Sequence, residues 1–163
     1  MKIAVFSDTH DNIWKIDKAL VRADEAEVII HCGDLCSPFV VKHFGEAAAG
    51  RPIHVVWGNN DGDIQMISQV AESYPEFRFY GILAEFRAGG IRIAVNHYPE
   101  IARALAGTGD YDLVCYGHDH ARFSGLIGKC RLLNPGELMG MMGPSTFALV
   151  DSATLDVEFI EVD

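Results

Sequence analysis

Short apolar runs alternate with segments of helical periodicity through the first half of the chain, and that alternation admits few folds. Residues 2–7 form an apolar run ending in Ser7, followed by residues 13–23, where Ile13, Ile16, Leu20 and Ala23 share one helical face. Residues 28–32 and 53–57 are two further runs rich in β-branched and aromatic side chains. Residues 38–49 are mildly helical. Residues 64–73 bring Met66, Ile67, Val70 and Ala71 onto one face before Tyr74 and Pro75 stop the helix. The order β-α-β-α-β-α predicts parallel strands covered by helices.

The second half changes character. Residues 83–86 and 91–95 flank Ala88-Gly89-Gly90, whose glycines allow the positive φ of a hairpin turn. Residues 122–127 and 130–133 flank Gly128-Lys129 in the same way, and residues 147–150 and 155–160 flank Asp151-Ser152-Ala153. Between them, residues 99–106 read as a short helix and residues 113–116 as a buried strand. A parallel half joined to an antiparallel half predicts two sheets packed face to face with helices outside. At 163 residues, with no repeat, low-complexity segment or Pro- or Ser-rich linker, the chain reads as one domain over 1–163 with one sizeable core.

What ends each strand is chemical. Asp8-Thr9-His10 follows the first run, Gly33-Asp34 the second and Gly58-Asn59-Asn60-Asp61 the third. Asn96-His97 follows residues 91–95, and Gly117-His118-Asp119-His120 follows residues 113–116. Ligand crevices of open α/β sheets lie outside the carboxyl ends of the strands, so five polar clusters at five such ends converge. Asp8, Asp34, Asn59, His10, His97, His118 and His120 offer oxygen and nitrogen donors and no thiolate, a set suited to Mn, Fe, Zn, Ni or Mg. Seven donors exceed one tetrahedral ion and suit two ions about 3.5–4 Å apart sharing a carboxylate. Glycines at 33, 58 and 117 fit sharp turns that aim the next residue at the ions.

Charge narrows the ligand. The net charge of −10 sets the average surface field against polyanions, so long nucleic acid is a poor partner. Two divalent ions against two carboxylates leave a locally positive crevice, which attracts a small phosphate ester where the surface as a whole does not. The first residues form too short an apolar run for a leader, no later stretch is apolar enough to span a bilayer, and the four cysteines form no Cys-x-x-Cys pair. The expectation is a reduced, cytoplasmic protein with no membrane partner. A composition that is 49% hydrophobic permits an oligomer.

The ordered set Asp-x-His, Gly-Asp, Gly-Asn-x-Asp, a single His and Gly-His-x-His resembles the calcineurin-like metallophosphoesterase superfamily, in its small single-domain prokaryotic phosphodiesterase branch, over nearly the whole chain. The resemblance implies a four-layer α/β/β/α sandwich in which two mixed β-sheets pack face to face with helices outside. It implies that Asp8, His10, Asp34 and His120 hold a first divalent ion and Asp34, Asn59, His97 and His118 a second, with Asp34 bridging. It further implies a bridging water or hydroxide as nucleophile on small phosphodiesters and Mn2+ as the foremost metal, with Zn2+, Ni2+, Fe2+ or Mg2+ as others. Asp34, Asn59, Asn60 and His97 are the residues carried over as catalytic.

The chain departs from that pattern at three positions. Larger relatives have His where Asn60 stands, and an amide can hydrogen-bond an ester oxygen but cannot protonate it, so good leaving groups are expected. Asp119 separates two histidines where a small hydroxyl residue is usual, and reads as a turn residue capping its own loop. Asn134-Pro135-Gly136-Glu137 resembles a family loop that usually ends in Ser and reads as structural.

Taken singly, the motifs have plainer readings as helix caps and turns, and it is their joint occurrence in order that points to a metal site. His31, His43 and His54 read as structural histidines, Cys32 and Cys36 as small buried hydrophobes, and Trp14, Phe39 and Tyr98 as core residues or crevice lining. Two other functions use the same fold: a non-catalytic protein-binding module, which the full ligand set disfavours, and a nuclease on polymeric nucleic acid, which the thinly spread Lys and Arg disfavour.

Overall fold

A computed structural model describes residues 1–163. Its eleven strands are β1 (Lys2–Phe6), β2 (Val28–His31), β3 (Ile53–Val55), β4 (Phe77–Phe79), β5 (Leu83–Ala88), β6 (Ile91–Asn96), β7 (Leu113–Cys115), β8 (Phe123–Ile127), β9 (Cys130–Asn134), β10 (Thr146–Asp151) and β11 (Val157–Glu161). The helices are α1 (Ile13–Arg22), α2 (Pro38–Ala47), α3 (Ile64–Ala71) and α4 (Pro99–Gly107). Each helix start has a local cause. The Asn12 and Asp63 side chains accept from the free N–H groups of Lys15 and Met66, while Pro38 and Pro99 occupy first-turn positions where a missing N–H does no harm.

Two mixed sheets result, with strand orders β11-β10-β1-β2-β3-β4 and β5-β6-β7-β9-β8. One face of the first sheet, through Ala4, Phe6, Ile29, Ile53 and Phe147, packs under α1, α2 and α3. Its other face, through Ile3, Val5, Ile30 and Val150, meets Ala84, Ile93, Val95, Leu113 and Leu133 of the second sheet. The outer face of the second sheet, through Ala94, Val114 and Leu132, packs on Ala102 and Ala106 of α4. These three apolar seams make the expected four layers, α/β/β/α, and their burial supplies the main driving force.

The halves of the chain do not map onto the sheets as the sequence suggested. β10 leaves the antiparallel half and pairs with β1, Lys2 opposite Asp151 and Val5 opposite Ala148, so the last hairpin completes the first sheet. Within the second sheet β6, β7 and β9 run parallel. β4, a parallel edge strand beside β3, follows the stop at Tyr74 and Pro75 and was not read from the sequence. No helix is long and apolar enough to cross a membrane.

Candidate active site

The carboxyl ends of β1, β2, β3, β6 and β7 open on one edge of the sandwich, and the backbone stitches their loops together. Asp8 N–H donates to Gly33 O (3.1 Å), His10 N–H to Asp34 O (3.1 Å), and Gly117 N–H to His97 O (3.1 Å). His118 N–H donates to the Asp8 carboxylate at 3.1 Å, which ties the two sheets together at the crevice. Five of the predicted ligands, Asp8, His10, Asp34, His118 and His120, have φ between 39 and 75°. Non-glycine residues rarely adopt this left-handed region, and its concentration here is the strain expected of a functional site held by its surroundings.

Glycine serves the crevice in two ways. Gly33 has φ +104°, the sharp turn expected before Asp34. Gly58 and Gly117 are needed for space instead: a Cβ at 58 would strike the Asp34 carboxylate, and one at 117 would strike Ser7 Oγ and the Asp8 carboxylate.

Two groups of potential metal donors form. In one, Asp8, His10 and His120 converge, with Asp8 Oδ1 at 3.9 Å from His10 Nε2 and 3.4 Å from His120 Nε2. In the other, Asp8 and Asp34 meet His97. Asp34 Oδ2 lies 3.5 Å from both His10 Nε2 and His97 Nε2, midway between the groups, and Asp8 belongs to both. Asn59 Oδ1 completes the second side, at 3.0 Å from His97 Nε2 and 2.8 Å from His118 Nδ1. Asn60 turns to Asp34, donating from its main chain to Oδ1 and from its amide to Oδ2, both at 2.7 Å.

The hydrogen-bond pattern fits a cation. His97 Nδ1 donates to Cys32 O at 2.8 Å, and Nε2 faces oxygens of Asn59 and Asp34. A ring nitrogen facing two oxygen acceptors requires a positive charge between them, the second proton of the ring or a metal ion. Asp8 Oδ1 and His10 Nε2 are buried without a partner, the arrangement that a buried polar pair tolerates only when a ligand satisfies it. Burial raises the Asp8 carboxyl above the ordinary range despite the Ser7 hydroxyl that donates to it. Burial would raise Asp34 also, but hydrogen bonds from His97 and Asn60 together hold it below the ordinary range. Burial lowers His97, and the adjoining Asp34 carboxylate more than reverses this, favouring the cationic ring. The donor set, carboxylates, imidazoles and an amide, suits a divalent ion of the Mn, Fe, Zn or Mg kind.

A match to the sequence model of the calcineurin-like phosphoesterase superfamily domain spans residues 1–155. The chain belongs to this superfamily. Membership makes it a metal-dependent phosphoesterase. It is 31% identical over 157 residues to a phosphodiesterase of Methanocaldococcus jannaschii, covering 93% of each chain, and 32% identical over 170 residues to a probable metallophosphoesterase of Methanothermobacter thermautotrophicus, covering 98% of this chain and 92% of that one. Its fold superposes on the solved structure of an archaeal phosphodiesterase with a TM-score of 0.91 at 30% identity, covering 99% of this chain and 100% of the other.

Residues around the ligands divide into those the sequence identified and those it missed. His31 accepts from Gly33 N–H at Nδ1 (3.2 Å) and bonds Thr9 Oγ1 at Nε2 (3.1 Å), so it supports both ligand loops from below, and burial pushes it down to about 3. Asp119 accepts from Asn134 and from Ala121 N–H, as a residue capping its own loop should. Asp61 accepts from the N–H groups of Gly58, Asp34 and Cys36, locking the third strand's loop to the second's. Cys36 Sγ sits 3.5 Å from His10 Nδ1, and burial pushes its thiol up to about 12. Trp14 and Phe39 are not core residues: they are 73% and 70% exposed on the first turns of α1 and α2. Tyr98 packs edgewise on His118 with ring centroids 5.0 Å apart.

Glu137 reads from the sequence as structural, and the structure sets it against His120. It is buried directly behind His120, with Oε2 at 2.6 Å from His120 Nδ1. Burial would raise its carboxyl, but His120 and the N–H groups of Gly143 and Met142 hold it below the ordinary range. An acidic residue immediately after a Pro-Gly turn at the end of β9 was the available signal, since that strand ends on the same edge as the ligand loops. The largest concavity, of about 720 Å³, lies elsewhere, an open groove between α1 and α2 lined by Asp17, Val21, His43 and Arg51. It contains none of the strand-end residues, and its His43 is paired with Asp17 at 2.5 Å.

Proposed function

We propose that the chain is a dinuclear metal-dependent phosphodiesterase that hydrolyses small phosphodiesters. Asp8, His10, Asp34 and His120 hold one divalent ion, and Asp34, Asn59, His97 and His118 hold the other. The observation that carries this reading is the pair of buried atoms Asp8 Oδ1 and His10 Nε2, which lie 3.9 Å apart with no hydrogen-bond partner. Bound there, divalent cations supply Lewis acidity toward phosphoryl oxygens and lower the pKa of water. Mn2+ is the ion proposed first, with Zn2+, Ni2+, Fe2+ or Mg2+ also suited to the donors.

The chain's own residues then set selectivity. Asp34, between the two groups, aligns both halves, and Asn60 fixes its carboxylate through two hydrogen bonds. Asn60 has no titratable proton to give a departing alkoxide, so aryl and other activated esters are preferred over alkyl monoesters. The net charge of −10 opposes polymeric nucleic acid, and the site works on small esters of the cytoplasm.

Hydrolysis of bis-p-nitrophenyl phosphate by metal-stripped protein, with each metal restored separately, tests the proposal. Metal-restored turnover that vanishes in Asp34→Ala supports it. Metal binding without turnover on any small diester contradicts it and favours a binding role, and faster cleavage of plasmid than of the small ester favours a nuclease. Comparable rates on aryl and alkyl esters would remove the role assigned to Asn60.

A further inference from the structure

Three of the four ligand histidines, His97, His10 and His120, have an outer partner at Nδ1, and those partners differ in kind. His97 faces the Cys32 carbonyl at 2.8 Å and His10 the Cys36 thiol at 3.5 Å, whereas His118 turns Nδ1 toward Asn59 Oδ1, itself placed at the second ion. His120 alone faces a carboxylate, Glu137 Oε2 at 2.6 Å. That carboxylate cannot turn away. Its other oxygen, Oε1, accepts from the N–H groups of Met142 and Gly143, both at 2.6 Å.

An ionised carboxylate only accepts, so the proton of His120 must lie on Nδ1 and the Nε2 lone pair must point toward Asp8 Oδ1, 3.4 Å away. The far end of the same loop is fixed to the first ligand strand. Leu138 N–H donates to Ser7 O, Met139 N–H to Asp8 O at 3.0 Å, and the Asn12 amide to Met139 O at 2.8 Å. Residues 138–143 are therefore strung between the Asp8 backbone and the Glu137 carboxylate, with Met141 and Met142 exposed on the outside.

We propose that Glu137 is the positioning residue of the first ion site, fixing His120 in the Nδ1–H tautomer so that Nε2 stands ready as a ligand, and holding loop 138–143 against the site through its second oxygen. The proposal rests on the two-ion reading above. Carboxylate–histidine–metal arrangements orient the ring and make it a stronger donor, and their loss weakens metal binding by about 10–100-fold. The first ion is thereby bound by a ring with an anionic partner, and the second by His97, whose partner is a neutral carbonyl.

An isosteric change separates proton placement from packing. In Glu137→Gln the amide oxygen keeps the Met142 and Gly143 N–H groups, and the NH2 group is left facing His120 Nδ1. The ring must then carry its proton on Nε2, where the ion binds. Shape is conserved and only the tautomer changes.

Long-range 1H–15N correlation spectra of the metal-free protein report the tautomer, and calorimetric titration with Zn2+ reports the two affinities. The expected result is Nδ1–H His120 in the wild type and Nε2–H His120 in Glu137→Gln, with one of two Zn2+ affinities weakened about 10–100-fold and the other unchanged. Two undiminished affinities in a folded Glu137→Gln would overturn the proposal. If that variant does not fold, the wild-type spectrum decides alone: an Nε2–H His120 in protein that still binds two ions overturns this role and leaves the two-ion reading intact. Wild-type protein that binds no divalent ion overturns the two-ion reading and this role with it.

Discussion

The two halves of the crevice satisfy their polar atoms differently. On the side of Asn59, His97 and His118, the protein closes on itself: Asn59 Oδ1 meets both rings, and Asp34 takes two hydrogen bonds from Asn60. On the side of Asp8, His10 and His120, Asp8 Oδ1 and His10 Nε2 are buried with no partner, and burial pushes the Asp8 carboxyl up. A buried group without a partner forfeits its hydration without recompense, whereas a paired one does not. The Asp8 side is therefore the half in which an ion relieves the most strain, and the Asn59 side is the half that holds its shape without one.

Asp34 is the residue whose loss breaks the comparison altogether, because it lies 3.5 Å from a histidine of each half. Asp34→Ala is expected to lower turnover at saturating metal by more than the roughly 10–100-fold that loss of an outer partner produces. A drop within that range would mean that Asp34 serves one half only. A divalent ion at about a hundred times its dissociation constant is expected to stabilise the fold by about 2.7 kcal/mol, a rise in Tm of roughly 5–10 °C for a domain of this size.

Single substitutions sharpen the contrast on a smaller scale. Asp8→Asn removes a buried carboxylate while keeping a residue type that tolerates left-handed φ, so the metal-free protein should melt no lower than the wild type and should lose the metal-induced rise. Asn59→Ala strips the shared partner from His97 and His118 and should lower the metal-free Tm, by about 2–4 °C per kcal/mol lost. Equal effects of the two substitutions on metal-free thermal denaturation would erase the distinction between the halves.

The smallest expected effect lies outside both halves. Burial holds His31 down to about 3 and His54 down to about 4, against an ordinary value of 6.5, so each is neutral in the fold and protonates more readily when unfolded. Their contribution is fully present above about pH 6.5 and is lost as the pH falls toward 4 and then 3. His54→Gln, at the stack of His54 on Phe86 between the sheets, should flatten the acid limb of a urea stability profile without changing metal binding. An unchanged limb would show that His54 does not carry it.

The meeting of these seven residues at one crevice was legible because it depends on residue type and order at strand ends, both of which a linear sequence displays. Glu137 was not, since its meaning comes from a loop that folds back on His120 across seventeen positions. The layers followed from periodicity, but the return of β10 to β1 did not: a hairpin announces its own turn and says nothing of the distant strand that receives it. β4 escaped for a related reason, because a three-residue edge strand with only half-buried phenylalanines has too short a pattern to read. The left-handed backbone of Asp8, His10 and Asp34 was equally hidden, since those residue types occur far more often at negative φ.

Seven residues at five strand ends are proposed to build one centre for two ions. Equilibrium dialysis of metal-stripped wild-type protein against Mn2+, followed by elemental analysis, counts them directly. Two ions per chain are expected, falling to one or none in Asp34→Ala, and a wild-type plateau at a single ion, or at none, would rule out a two-ion centre.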